Sequence, residues 1–114
     1  MGLDMYAFAA SDLNDPDSVE IHYWRKHPDL HQWMVERAIA KGETDEDPNP
    51  CVLQLTSIDL DELEQAIITR ALPLGEGFFW GHSTGHENFD DLKFIAKARK
   101  AIGKGLIVVY SANW

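Results

Sequence analysis

Apolar and polar positions alternate at the start of the chain. Leu3, Met5, Ala7 and Ala9 fall on one side of an extended segment, with Asp4, Tyr6 and Phe8 on the other. A strand apolar on both sides belongs inside a sheet, so residues 3–9 are predicted as a central strand. Ser11-Asp12-Leu13-Asn14-Asp15-Pro16-Asp17 is turn chemistry, because Asn and Asp bond to their own backbone and Pro fixes φ. Residues 19–25 alternate again: Val19, Ile21 and Tyr23 oppose Glu20, His22 and Trp24. The two strands form an antiparallel hairpin with a longer loop.

The period then changes from two to between three and four. Pro28 suits the first turn of a helix, where no N–H is needed. Leu30, Trp33, Met34 and Ala38 carry its apolar stripe, widened by Val35 and Ile39, and Gly42 ends it. The run 43–50 can bury nothing and reads as an exposed acidic loop. Residues 51–55 form a short apolar strand. Thr56 or Ser57 caps a second helix with Asp59, Asp61 and Glu62 in its first turn and Leu60, Leu63, Ile67 and Ala71 inward, ending near Arg70.

Gly77-Phe78-Phe79-Trp80-Gly81 is a short aromatic segment. Asn88 caps a third helix with core face Leu92, Ile95, Ala96 and Ile102, stopped by Gly103 and Gly105. Residues 106–110 are a β-branched strand. The expected fold class is α+β: a mixed, mainly antiparallel sheet of four or five strands covered by three helices, in one domain spanning residues 1–114.

Composition narrows function mainly by exclusion. The chain has 114 residues and a formal charge of −9, from 10 basic and 19 acidic side chains. No dense cationic cluster appears, so direct nucleic-acid binding is not expected. The acidic field suits a basic protein partner or plain solubility. Cys51 is the single cysteine and sits among Val52, Leu53 and Leu55, as a buried thiol does. The start of the chain has neither a signal-peptide pattern nor a myristoylation motif, and no window suits a membrane span, so a cytoplasmic location is expected.

Two stretches hold candidate chemistry. His82, His86 and Glu87 lie in a Gly-rich run leading into the third helix, where a divalent metal would accept two imidazoles and a carboxylate. The competing reading is a solvated loop with incidental histidines, since glycines impose no shared face. Tyr23, Trp24 and Arg25, joined by Trp80, offer a stacking surface and a guanidinium for a carboxylate- or phosphate-bearing ligand. Against this stands an ordinary strand end, with aromatics packed inward and cations at the rim. No nucleophile elbow and no Walker loop are present, so no catalytic residue and no cofactor are expected.

Met1-Gly2-Leu3-Asp4-Met5-Tyr6, Tyr23-Trp24-Arg25-Lys26, Trp33-Met34, the Gly77–Gly81 segment and the closing Tyr110-Ser111-Ala112-Asn113-Trp114 together resemble a family of small uncharacterised proteins encoded by bacteriophages and bacteria. The resemblance spans nearly the whole chain and implies a phage or prophage context, with no activity, ligand or catalytic residue attached. Members of that family tend to end in two tryptophans, where this chain has Asn113-Trp114. The function expected is a noncatalytic interaction protein acting on a basic host protein in the host cytoplasm. The alternative is a small-molecule or metal-dependent site, enzymatic or not, built from the Tyr23–Arg25 strand end and the 78–87 loop.

Overall fold

A computed structural model of the chain describes residues 2–42, 51–73, 75 and 88–113. Alternation makes the strands: β1 (Asp4–Ala10), β2 (Val19–Arg25), β3 (Cys51–Leu55) and β4 (Ile107–Asn113). They pair in the order β2-β1-β4-β3, and all three pairings are antiparallel. β1 is an inner strand, as expected, paired with β2 on one edge and β4 on the other. β4 runs to Asn113, beyond the expected Tyr110, because β1 and β3 supply backbone partners for Ser111 and Ala112.

Three helices cover one side of this sheet: α1 (Pro28–Ala40), α2 (Ser57–Ile68) and α3 (Asn88–Gly103). The result is the α+β architecture the pattern implies. One core cluster joins Met5, Ala7, Leu53, Val108 and Tyr110 of the strands to Leu30, Met34, Leu60, Leu63, Phe94 and Ile95 of the helices. Tyr6, Phe8, Val52 and Val109, on the alternate strand positions, lie outside that cluster. The sheet thus has a helix side and, among the described residues, an open side.

Local chemistry sets the helix ends. Thr56 Oγ1 accepts from the Asp59 N–H at 3.3 Å while Asp59 accepts from the Thr56 N–H at 2.8 Å, a reciprocal cap. Burial alone would raise the Asp59 pKa, but hydrogen bonds from Lys41 and Thr56 hold it below the usual carboxylate value. α2 ends at Ile68, with Arg70 in the left-handed region, so Ala71 falls outside the helix and is exposed.

The segment after α2 returns to the start of α1, where the Gly75 N–H donates to Asp29 at 3.0 Å. A Cβ on Gly75 would lie 2.1 Å from the Pro28 carbonyl oxygen, so no other residue fits there without movement. No described helix is long and apolar enough to cross a membrane.

The third helix is phased differently from the sequence reading. Its buried positions are Asp91, Phe94, Ile95, Ala98 and Ala101, while Ala96 is exposed. Leu92 and Ile102 flank that stripe, partly buried. Asp91 and Phe94 complete an i, i+3, i+4, i+7 set with Ile95 and Ala98. A carboxylate on the core face hid this phase from a reading that treated charge as exposed.

β2 also departs from strict alternation. Ala7 pairs with His22 and Phe8 with Glu20, which leaves Ile21 as an extra residue. This bulge rotates the strand, so Val19, opposite Ala9, and Ile21 line one groove on the helix side. Tyr23 stays on the open side.

Candidate functional site

The described chemistry concentrates where the end of β2 meets the first turn of α3. His22 and Trp24 occupy alternate positions of β2 and therefore share its helix side. Trp24 lies edge-on to Phe94 with ring centroids 4.8 Å apart, and 4.5 Å from the His22 ring. His27 precedes Pro28 at the start of α1, close to the same point.

Asp91 is the centre of this cluster and is fully buried. Its two oxygens accept from Trp24 Nε1 at 3.1 Å and from His27 Nε2 at 2.9 Å. A buried carboxylate must be matched by donors, and here both oxygens are met. The first turn of α3 adds its positive dipole end. The arrangement ties β2, the start of α1 and the start of α3 to one carboxylate.

His22 forms a more exposed second arm. Lys97 Nζ lies 3.2 Å from its Nδ1, and Asp90 Oδ2 lies 2.9 Å from its Nε2. An ammonium group has only protons to offer, so Nδ1 accepts and Nε2 donates to Asp90. Deeper in the core, His31 Nδ1 and the Tyr110 hydroxyl are 2.6 Å apart. Burial pushes the His31 pKa down to about 4, so its imidazole is neutral near pH 7. Burial pushes the Tyr110 phenol well up. Cys51 is buried on the same side of the sheet.

The strand divides the residues proposed from the sequence for ligand binding. Trp24 faces the helices and is 4% exposed, with its indole N–H committed to Asp91. Tyr23 and Arg25 lie on the other side. The Tyr23 hydroxyl donates to Asp4 Oδ1 at 2.8 Å, and Arg25 pairs with the same carboxylate at 3.6 Å. The hydrogen bond to Asp4 raises the Tyr23 pKa.

Tyr23, Trp24 and Arg25 therefore do not line one concavity. Trp80, His82, His86 and Glu87, the remaining candidates, lie outside the described residues. Among the described residues no three His, Cys, Asp or Glu side chains gather as a metal ion would need.

The open side of the sheet has its own geometry. Tyr6 touches Phe8 with centroids 6.1 Å apart and Tyr23 with centroids 5.2 Å apart. Beside them Phe8, Val52, Val109 and the exposed Leu13 border a shallow concavity of about 210 Å³, with Asp12 and Asp15 at its rim. Backbone N–H groups of Ser11 and Asp17 donate to Asp15, lowering its pKa and holding the turn in shape. Asp12 likewise accepts from the Asn14 N–H at 2.8 Å. This rim was legible in the sequence as a turn; its position over the sheet was not.

Among the described residues, the fold and this geometry define a sheet covered by helices on one side, with a buried polar cluster and an uncovered aromatic face. No protein-family model matches the chain, and no curated protein and no solved structure is significantly similar to it.

Proposed function

We propose that the chain is a noncatalytic interaction protein, of the phage- or prophage-encoded kind its motifs resemble, and that it takes a basic host protein on the open side of its sheet in the host cytoplasm. The observation that carries this reading is the aromatic cluster of Tyr6, Phe8 and Tyr23 beside a concavity with a carboxylate rim. Aromatic groups supply contact area at low entropic cost, and a rim of Asp12 and Asp15 steers a cationic surface onto them. The polar cluster around Asp91 is buried against protein donors, which suits a structural role. Tyr23 and Arg25 support the open face by holding Asp4 between them.

The test compares the wild-type chain with a Tyr6→Ser/Phe8→Ser variant, both immobilised and offered host lysate at low salt. The expected result is a basic protein retained by the wild type alone. It should elute as ionic strength rises toward ~1 M, where the Debye length shrinks to ~3 Å. Equal retention by the folded variant, or nothing retained above background by either form, overturns the reading.

A further inference from the structure

A second concavity lies on the helix side, between the bulged half of β2 and the last turns of α3. Its apolar lining is Val19 and Ile21 of β2 together with Ala9, Ala101 and Leu106. Its volume is about 340 Å³, at the small end of the ~300–1,000 Å³ typical of small-molecule sites. Three side chains complete the lining, and all are lysines: Lys97, Lys100 and Lys104.

That charge runs against the rest of the molecule. The chain carries −9 overall, yet half of its 10 cations lie between Lys93 and Lys104, and no carboxylate follows Asp91. Arg99 is turned away, bound by Asp61 at 2.8 Å and Glu64 at 2.8 Å, which raises its pKa further. Lys93 lies over the Phe89 ring. Lys97 reaches His22 from the edge of the groove. Among the described residues, no ion pair engages Lys100 or Lys104.

A helix end can explain lysines by itself, since they offset the negative end of the dipole. Here the backbone itself meets two of the last carbonyls. The Lys104 and Leu106 N–H groups donate to Ala101 O at 3.0 and 3.1 Å, and the Gly105 N–H donates to Ile102 O at 2.9 Å. Lys100 and Lys104 are exposed. Lysine stems lie readily along apolar walls and carry their charge to the mouth. An apolar trough with several ammonium groups at its lip is complementary to a molecule that is apolar along its length and strongly anionic at one end.

We propose that this groove binds a single-chain alkyl phosphate: a linear hydrocarbon chain along Val19, Ile21 and Ala101, with the phosphate monoester between Lys100 and Lys104. A phosphate monoester carries about −1.5 to −2 at neutral pH, which calls for more than one cation, whereas a carboxylate calls for one. β2 is an edge strand of the sheet and Val19 on its groove side is exposed, so a linear chain enters without displacing the core. Val19, 61% exposed, loses its contact with water when the chain is seated.

Titration calorimetry on the whole chain, with decyl phosphate below its micelle concentration, tests this. The expected result is one site, weakened by salt. Decyl glucoside and inorganic phosphate should each bind at least about tenfold more weakly, because each lacks half of the complementarity. K100Q/K104Q should lose at least about tenfold in affinity at unchanged thermal stability, since both side chains are exposed. Val19→Glu, at an equally exposed wall position, should abolish binding.

Equal binding of decyl glucoside would show nonspecific apolar adsorption and overturn the proposal, as would full affinity in K100Q/K104Q. Binding seen only with anionic phospholipid vesicles would make the lysine face a membrane-docking surface and would equally overturn it. The outcome is independent of the open sheet face, which none of these variants touches.

Discussion

Two aspartates mark the difference between the two sides of the sheet. Asp91 and Asp4 each bind an aromatic side chain and a basic one from residues 23–27. Asp91 holds Trp24 and His27 on the helix side; Asp4 holds Tyr23 and Arg25 on the open side. The partners are chemically alike, and water makes the contrast. On the helix side Asp91, Trp24 and His27 are buried from water, so a hydrogen bond lost there is costly. On the open side Tyr23 and Arg25 are exposed, so solvent competes for their bonds to Asp4 and these pairs contribute little to stability.

Removing the carboxylates should expose that contrast directly. Asp91→Ala leaves Trp24 Nε1 and His27 Nε2 facing each other without their acceptor. It should cost about 1–3 kcal/mol for each of the two buried donors that loses its acceptor, measured by urea denaturation. A loss below about 1 kcal/mol would mean that water reaches this cluster, and the distinction between the two sides would collapse.

The next effect comes from His31, whose helix-side burial holds its pKa at about 4. The unfolded chain takes up this proton as pH falls through ~6.5, while the native state resists until about 4. Stability from this residue is therefore complete above the upper value and is lost progressively as pH falls toward the lower one. The loss is on the order of 3 kcal/mol. Denaturation curves at several pH values should show this slope in the wild type. His31→Phe should flatten it, and an unchanged slope in that variant would assign the acid sensitivity elsewhere.

Smaller effects belong to the open side. Phe8→Ser removes a half-buried aromatic from a stacked pair and should cost about 1–2 kcal/mol by the same measurement. Asp4→Ala should cost under about 1 kcal/mol, because Arg25 and Tyr23 can both turn to water. A cost for Asp4→Ala equal to that for Asp91→Ala would indicate that the open side is covered.

The sequence reading succeeded where spacing alone decides. Strands from alternation, helices from the longer period, Thr56 as a cap and Gly42 as a stop all follow from local sterics and local hydrogen bonding. It failed where a polar residue faces inward. The core face expected for the third helix left out Asp91, yet Phe94, Ile95 and Ala98 stand at the offsets that place it on the buried face. The signal was present in the spacing. The alternation of β2 misled at Val19 and Ile21 because one unpaired residue in the ladder reverses the phase upstream of it.

The chain's own order of residues determined which segments are strands and helices, where they stop, and that one side of the sheet must be buried. Those properties depend on neighbours within a few positions. Tertiary structure alone decided that Asp91 meets Trp24 and His27, that Asp4 holds Tyr23 and Arg25, and that three lysines gather round the groove beside Val19. Each of those joins residues of separate elements. Their meeting depends on the pairing order of the strands and on the rotation of α3, both chosen by packing of the whole core.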